Sequence, residues 1–240
     1  MYGTKLFILI LSLAFITPLM GQKLDHSDWT ALLQKHVDEK GVVNYKGFIE
    51  DKKALNKYLN YLGNNHAEKS WSEEEQLAYW INVYNAFAIK LVIEHYPVSS
   101  IQRIGGLLRK PWHIEFIKIG DKTYSLDYVE HKILRVEFDE PRIHFGVNCA
   151  SFSCPILYTE AFTAENVDEK LDKLARLFIN DPKRNKISKD RVELSKIFDW
   201  FKEDFTKNGT LIDYINKYSE TKVNKDAKIS FMSYDWSLNE

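Results

Sequence analysis

The chain has 240 residues, 33 Lys and Arg against 34 Asp and Glu, a formal net charge of −1, and 45% hydrophobic residues. The balance excludes a basic footprint for nucleic acid and an acidic tail, and the apolar content is that of a globular protein. Aromatic residues make up 14%, which predicts a core or a cleft with several Trp and Tyr.

Residues 1–21 read as a secretory signal peptide. Lys5 is a short positive region, Leu6 to Ile16 is apolar except for Ser12, Thr17 and Pro18 end the run, and Gly21 suits the position before a cleavage. The run is shorter than the roughly 20 residues a bilayer requires. The alternative use of the segment is an uncleaved N-terminal anchor. Cleavage after Gly21 starts the mature chain at Gln22 and places it in the periplasm or outside the cell. No cysteine stands at the cleavage point, so no lipid anchor is expected. No later segment is long and apolar enough to span a membrane, and residues 22–240 are predicted to form one domain.

Asp25 or Ser27 can cap a helix to about Glu39, with Trp29, Leu32, Leu33 and His36 on one stripe, ended by Gly41. GVVNYKGF is a turn with a short extended piece, and Phe48 to Leu62 reads as a second amphipathic helix. The longest helix follows. Ser72 and Glu75 form a capping box, Pro97 is the stop, and the helix is apolar nearly all round, as a central buried helix would be. Asn82 and Asn85 sit inside it, and buried amides need partners. HIEFIKIGDKTYSL reads as a hairpin turning at Gly120-Asp121, and Ser125 caps LDYVEHKILR.

RIHFGVN, residues 142–148, alternates and reads as a strand. Arg142, His144, Gly146 and Asn148 then share one face, with Ile143, Phe145 and Val147 on the other. A helix from Thr163 to about Asn180, a hairpin in KISKDRVEL, a helix in SKIFDWFKEDF capped by Ser195, a helix over Leu211 to Tyr218 and a strand in KISFMSYDW complete the chain. The fold class is α+β: a helix-rich single domain around a small, mostly antiparallel sheet, with one long buried central helix.

EQLAYWINVYNAFAIKLV, YSLDYVEHKILR and PRIHFGVNCASFSCP, in this order, resemble the exported bacterial branch of the family called domain of unknown function 547. The similarity runs over about residues 73–180, and the flanking GVVNY and YDWSLN also resemble that branch. The resemblance implies no catalytic residue, because no activity attaches to the family's name.

Both cysteines fall in one loop, Cys149 and Cys154. Pro155 suits the first turn of a helix, so Cys154 is a candidate for a helix N-terminus, where a thiolate is stabilised. His144 or His131 would supply the base, and Asn148, Asn82 or Asn85 would orient that imidazole or hold an oxyanion. The chemistry is then thiol-dependent hydrolysis or acyl transfer at an amide. A Cys149–Cys154 disulfide that shapes the loop is the rival reading. Zinc on the two cysteines with His131, His144 and Glu130 is a third, but no paired ligand spacing supports it and neither metal nor cofactor is expected. In another class altogether, the chain is a non-catalytic envelope binding module, with the cysteines as a loop staple and with Arg142 suited to hold a carboxylate, either of a small-molecule or peptide ligand or of Glu130. Helical neighbours do not share a face, so only one of Glu130 and His131 should point at a site. Trp80, Trp112 and Trp236 read as core, and Glu75 is explained by its cap.

Overall fold

The computed structural model describes residues 24–106 and 110–240; the predicted signal peptide lies outside the described residues. It is a helix-rich α+β domain built around one long helix, with two small sheets at its edges. No helix among the described residues is long and apolar enough to cross a membrane.

Helix α1, Ser27–His36, buries the expected stripe of Trp29, Leu32, Leu33 and His36. It stops before Glu39 because Val37 turns out of the helix to bridge Val43. The helix expected over Phe48 to Leu62 is two, α2 (Tyr45–Glu50) and α3 (Lys52–Asn64). The Asn44 side chain caps α2 by accepting from the Gly47 amide at 2.9 Å. The break falls at Asp51, whose carboxylate is drawn to Lys35 and His36 of α1 at 2.7 and 2.6 Å.

The central helix α4, Glu73–His95, begins with the expected capping box. Ser72 Oγ accepts from the Glu75 amide at 3.1 Å, and the Glu75 carboxylate accepts from the Ser72 amide at 2.9 Å. From Leu77 to Ile93 every residue except Lys90 is buried, which is why the apolar pattern shows no single stripe. Strands β1 (Ile117–Ile119) and β2 (Lys122–Tyr124) form the expected hairpin, with Gly120 at φ +55° in its turn. Ser125 caps α5 (Leu126–Tyr128), which runs through a π-helical turn, Val129–Leu134, into α6 (Arg135–Glu137).

Residues 142–148 are not a strand. Ile143–Gly146 is a helical turn, α7, followed by an irregular segment. The alternating pattern misleads because every residue from Ile143 to Asn148 is buried, so the alternation divides no core face from a solvent face. Pro141, which has no N–H to lose, opens the turn, and the Glu140 and Arg142 carbonyls accept from the amides of Ile143 and Phe145 at 3.1 and 2.9 Å. Gly146 lets α7 approach α8 (Val167–Ile179), since a Cβ there would lie 2.8 Å from Leu171 Cδ2. Nor does Cys154 begin a helix: residues 155–158 are irregular.

Strands β3 (Lys186–Ile187) and β4 (Arg191–Leu194) pair antiparallel as expected. The segment expected as one helix after Ser195 is two, α9 (Ile197–Trp200) and α10 (Lys202–Phe205). Helix α11, Leu211–Tyr218, falls where expected, and β5 (Lys228–Phe231) pairs in parallel with β4, so the strands form two sheets instead of one. The last residues run back through the molecule. Ser237 bridges Ser100, Leu238 bridges Ser151, and Asn239 accepts from the Val43 amide at 2.8 Å and from Tyr45 Oη at 2.6 Å.

Candidate active site

A buried amide of α4, Asn85, fixes the start of the Cys loop. Asn85 Nδ2 donates to the Gly146 carbonyl at 2.9 Å, and its Oδ1 accepts from the Asn148 amide at 2.8 Å. Asn148 passes the constraint on, donating from Nδ2 to the Pro155 carbonyl at 2.7 Å and accepting at Oδ1 from the Ala150 amide at 2.9 Å and from Asn239 Nδ2 at 3.3 Å. Asn82 makes the same two-point clamp on the backbone of Phe162, at 2.7 and 3.0 Å. These three asparagines are therefore scaffold; none of them lines the cleft described next.

The clamps hold Cys149 at the start of a sharp bend, where Ala150 has φ +60°, and aim it into a cleft of about 880 Å³. Cys149 Sγ lies 2.7 Å from Cys154 Sγ, 3.1 Å from Ser151 Oγ and 3.3 Å from Tyr234 Oη. Burial opposes a charge on Cys149, but hydrogen bonds from Cys154, Ser151 and Tyr234 outweigh it and lower the thiol to about 7. Cys154 sits behind, 4% exposed, and burial together with its neighbour's sulfur pushes its pKa up. The two are free thiols, not a disulfide.

Glu130 and His131 both line the cleft, contrary to the expectation that only one would. They belong to the π-helical turn, where each residue subtends a smaller angle than the 100° of an α-helix, and such turns recur at functional sites. Burial raises the Glu130 carboxyl pKa, His131 pulls it down and the charge of Cys149 raises it again. Tyr84, from α4, interacts with the same carboxyl, and its own pKa is pushed well up by burial and by Glu130.

The histidines expected as bases are engaged elsewhere. His144 is 2% exposed, its ring stacks on Phe201 at 3.9 Å, and Nε2 lies 2.7 Å from Asp204 Oδ2. Burial lowers the His144 pKa despite that carboxylate. Arg135 donates to both Asp204 oxygens, at 2.6 and 3.0 Å, and lies 3.0 Å from His131 Nδ1. Burial opposes the Asp204 charge, but His144 and Arg135 hold the carboxyl well below the usual range. Both imidazoles line the cleft, yet no hydrogen bond joins either to a sulfur among the described residues.

Arg142 lies outside the cleft, with its guanidinium occupied by Glu140 at 2.8 Å and by Asp168 at 2.6 Å. Arg142, His144 and Asn148 thus share no face. Among the described residues no group of three His, Cys, Asp or Glu is arranged to hold a metal ion.

One wall is aromatic. Trp112 and Trp236, expected in the core, pack edge to face at 5.3 Å, Trp200 stacks on Trp236 at 5.7 Å, and Tyr234 meets both Trp200 and Trp236 at 4.8 and 4.5 Å. No local signal in the sequence marks Tyr84, Asp204 or Tyr234 as site residues. Asp204 lies 60 positions from its histidine partner, and Tyr234 lies 85 from the cysteine it touches.

Residues 68–179 match the model of the family described as "Protein of unknown function, DUF547", close to the span read from the motifs. No curated protein and no solved structure matches the chain. The family segment carries Tyr84, Glu130, His144 and both cysteines, while Trp200, Tyr234 and Trp236 lie beyond it.

Proposed function

We propose that this protein, which belongs to the DUF547 family through residues 68–179, is an enzyme that uses Cys149 as a covalent nucleophile in acyl transfer or hydrolysis at an amide. One observation carries the reading: the Cys149 sulfur lines a cleft and is lowered to about 7 by three hydrogen-bonding neighbours. At neutral pH a large share is thiolate, without a histidine base in contact.

Glu130 is the proton carrier of this scheme in place of His144 or His131. Its burial keeps the carboxyl protonated at higher pH than usual, beside a thiol that loses its proton at lower pH than usual. The thiolate adds to the amide carbonyl, and Glu130 gives its proton to the departing amine as the C–N bond breaks. The resulting thioester on Cys149 is opened by water or an acceptor amine, whose proton returns to Glu130. Backbone donors for the oxyanion are scarce, because the amides of residues 149, 150 and 152–154 are spent within the protein. The side chains of the cleft, Tyr84 and Trp112 among them, take that role. The aromatic wall suits an acyl group with a flat apolar part.

The binding-module alternative loses its anchor, since Arg142 is held by Glu140 and Asp168 outside the cleft. Export remains part of the proposal and rests on the pattern of residues 1–21. Intact-mass measurement of protein from its native host should show their loss; a full-length chain in the cytoplasm overturns export.

The test of the activity is a pH series of iodoacetamide labelling followed by turnover assays on amide and thioester panels. Cys149 should be alkylated first, with a midpoint near pH 7, and Cys149→Ala should abolish turnover in a folded protein. Alkylation at an ordinary thiol midpoint, or turnover that survives Cys149→Ala, sinks the proposal.

A further inference from the structure

We propose that Cys149 and Cys154 also act as a dithiol that reduces a small organic disulfide entering the cleft. This activity shares the nucleophile of the acyl-transfer reading but needs no acyl substrate.

The geometry assigns different work to the two sulfurs. Both cysteines border the cleft, but Cys149 is the more exposed, with its sulfur reached by Ser151 and Tyr234, whereas Cys154 is only 4% exposed. Cys154 Sγ meets the Cys149 sulfur at 2.7 Å, the Cys149 amide at 2.8 Å and the Val147 carbonyl at 4.0 Å, with the Tyr234 side chain also acting on it. A thiol so placed contributes little to holding a ligand, and its reachable electrophile is whatever bond forms on Cys149. Closing a disulfide from 2.7 Å requires the sulfurs to approach to about 2.05 Å, a fraction of an ångström. The loop ends are clamped through Asn85, Asn148 and the bridge from Ser151 to Leu238, so the sulfurs stay paired while a substrate comes and goes. A cleft of about 880 Å³ admits a disulfide of small-peptide size.

The exchange runs in two displacements. The Cys149 thiolate attacks one sulfur of R–S–S–R, and the departing R–S⁻ takes up the proton Cys149 had lost. This leaves Cys149–S–S–R. Cys154 then gives up its proton and its sulfur attacks the Cys149 sulfur, releasing the second R–S⁻, which takes that proton. The substrate disulfide has gained two electrons, the protein holds a Cys149–Cys154 disulfide, and an external thiol reductant returns it to the dithiol. The direction of the two pKa displacements, down at Cys149 and up at Cys154, fits attacker and resolver.

Excess oxidised glutathione is the probe, read by intact mass, peptide mapping and thiol release. The wild-type chain should release two thiols and end with an internal disulfide and no adduct. Cys154→Ser should release one thiol and keep a glutathione adduct on Cys149. Cys149→Ser should form no adduct at Cys154, with thermal melting showing that both variants are folded. A persistent wild-type adduct with Cys154 still free, an adduct on Cys154, or no reaction at all overturns the proposal. Amide turnover by the reduced wild-type protein is measured in parallel. Turnover without exchange removes this activity alone, and exchange without turnover removes the acyl-transfer reading alone.

Discussion

Single side chains decide what the cleft can do, and Glu130 shows the cost. Its folded pKa is raised, so its burial favours folding only below the unfolded carboxyl value and opposes folding as pH rises above it. Glu130→Gln should therefore raise the melting temperature at pH 7 while abolishing turnover; an unchanged or lower melting temperature would show that the carboxylate is well accommodated. Asn85 is the opposite case. Asn85→Leu strands the Gly146 carbonyl and the Asn148 amide, and each buried orphan costs about 1–3 kcal/mol. Urea unfolding should show a loss of that order, and a loss below a few tenths of a kcal/mol would contradict the clamp. The sequence made Asn82 and Asn85 legible because an amide in an apolar helix demands a partner. It hid Tyr84 because a tyrosine in the same helix reads as core, and it hid Tyr234 and Asp204 because their partners are brought near only by the fold.

Secondary-structure elements were legible where a cap or a turn marks them. Ser72 with Glu75, Ser125, and the Gly120 hairpin all hold as read. Periodicity failed at residues 142–148, where uniform burial removes the contrast that a period of two depends on. It also failed to foresee the π-helical turn, since one extra residue in a turn leaves no mark on composition. Helix–strand packing gives a test at this scale. A Cβ on Gly63 of α3 would lie 2.8 Å from the Lys118 carbonyl of β1, a backbone atom that cannot swing aside. Alanine gains about 0.5–1 kcal/mol of helix propensity, but overpacking costs about 1–3 kcal/mol. Gly63→Ala should lower the melting temperature, and a rise would mean that the hairpin moves away freely.

At the scale of the whole molecule, acid should destabilise the fold through buried imidazoles. Burial, partly offset by Asp25, lowers His26 from 6.5 to about 4, and His26 Nδ1 lies 2.7 Å from Tyr58 Oη. The unfolded chain therefore binds a proton near pH 6.5 that the folded chain refuses until about pH 4. Stability is full above pH 6.5 and falls by about 3 kcal/mol as pH drops toward 4 from this group alone. The lowered pKa of His144 acts in the same direction. Unfolding free energies at pH 7 and pH 4.5 should converge more for His26→Gln than for the wild type; equal pH dependence would exonerate His26. The helix-rich α+β class was readable from composition and pattern, but the return of the chain's last residues was not, because isolated bridges carry no sequence signature. That return governs how the protein comes into being. Contacts between residues far apart in sequence close late in folding, and Tyr234 with the bridges from Ser237 and Leu238 is needed to complete the pocket around Cys149. Helices α1 to α11 can pack on one another before residues 234–238 dock, so the sulfurs gain their full set of neighbours only in the folding step that closes this long-range return.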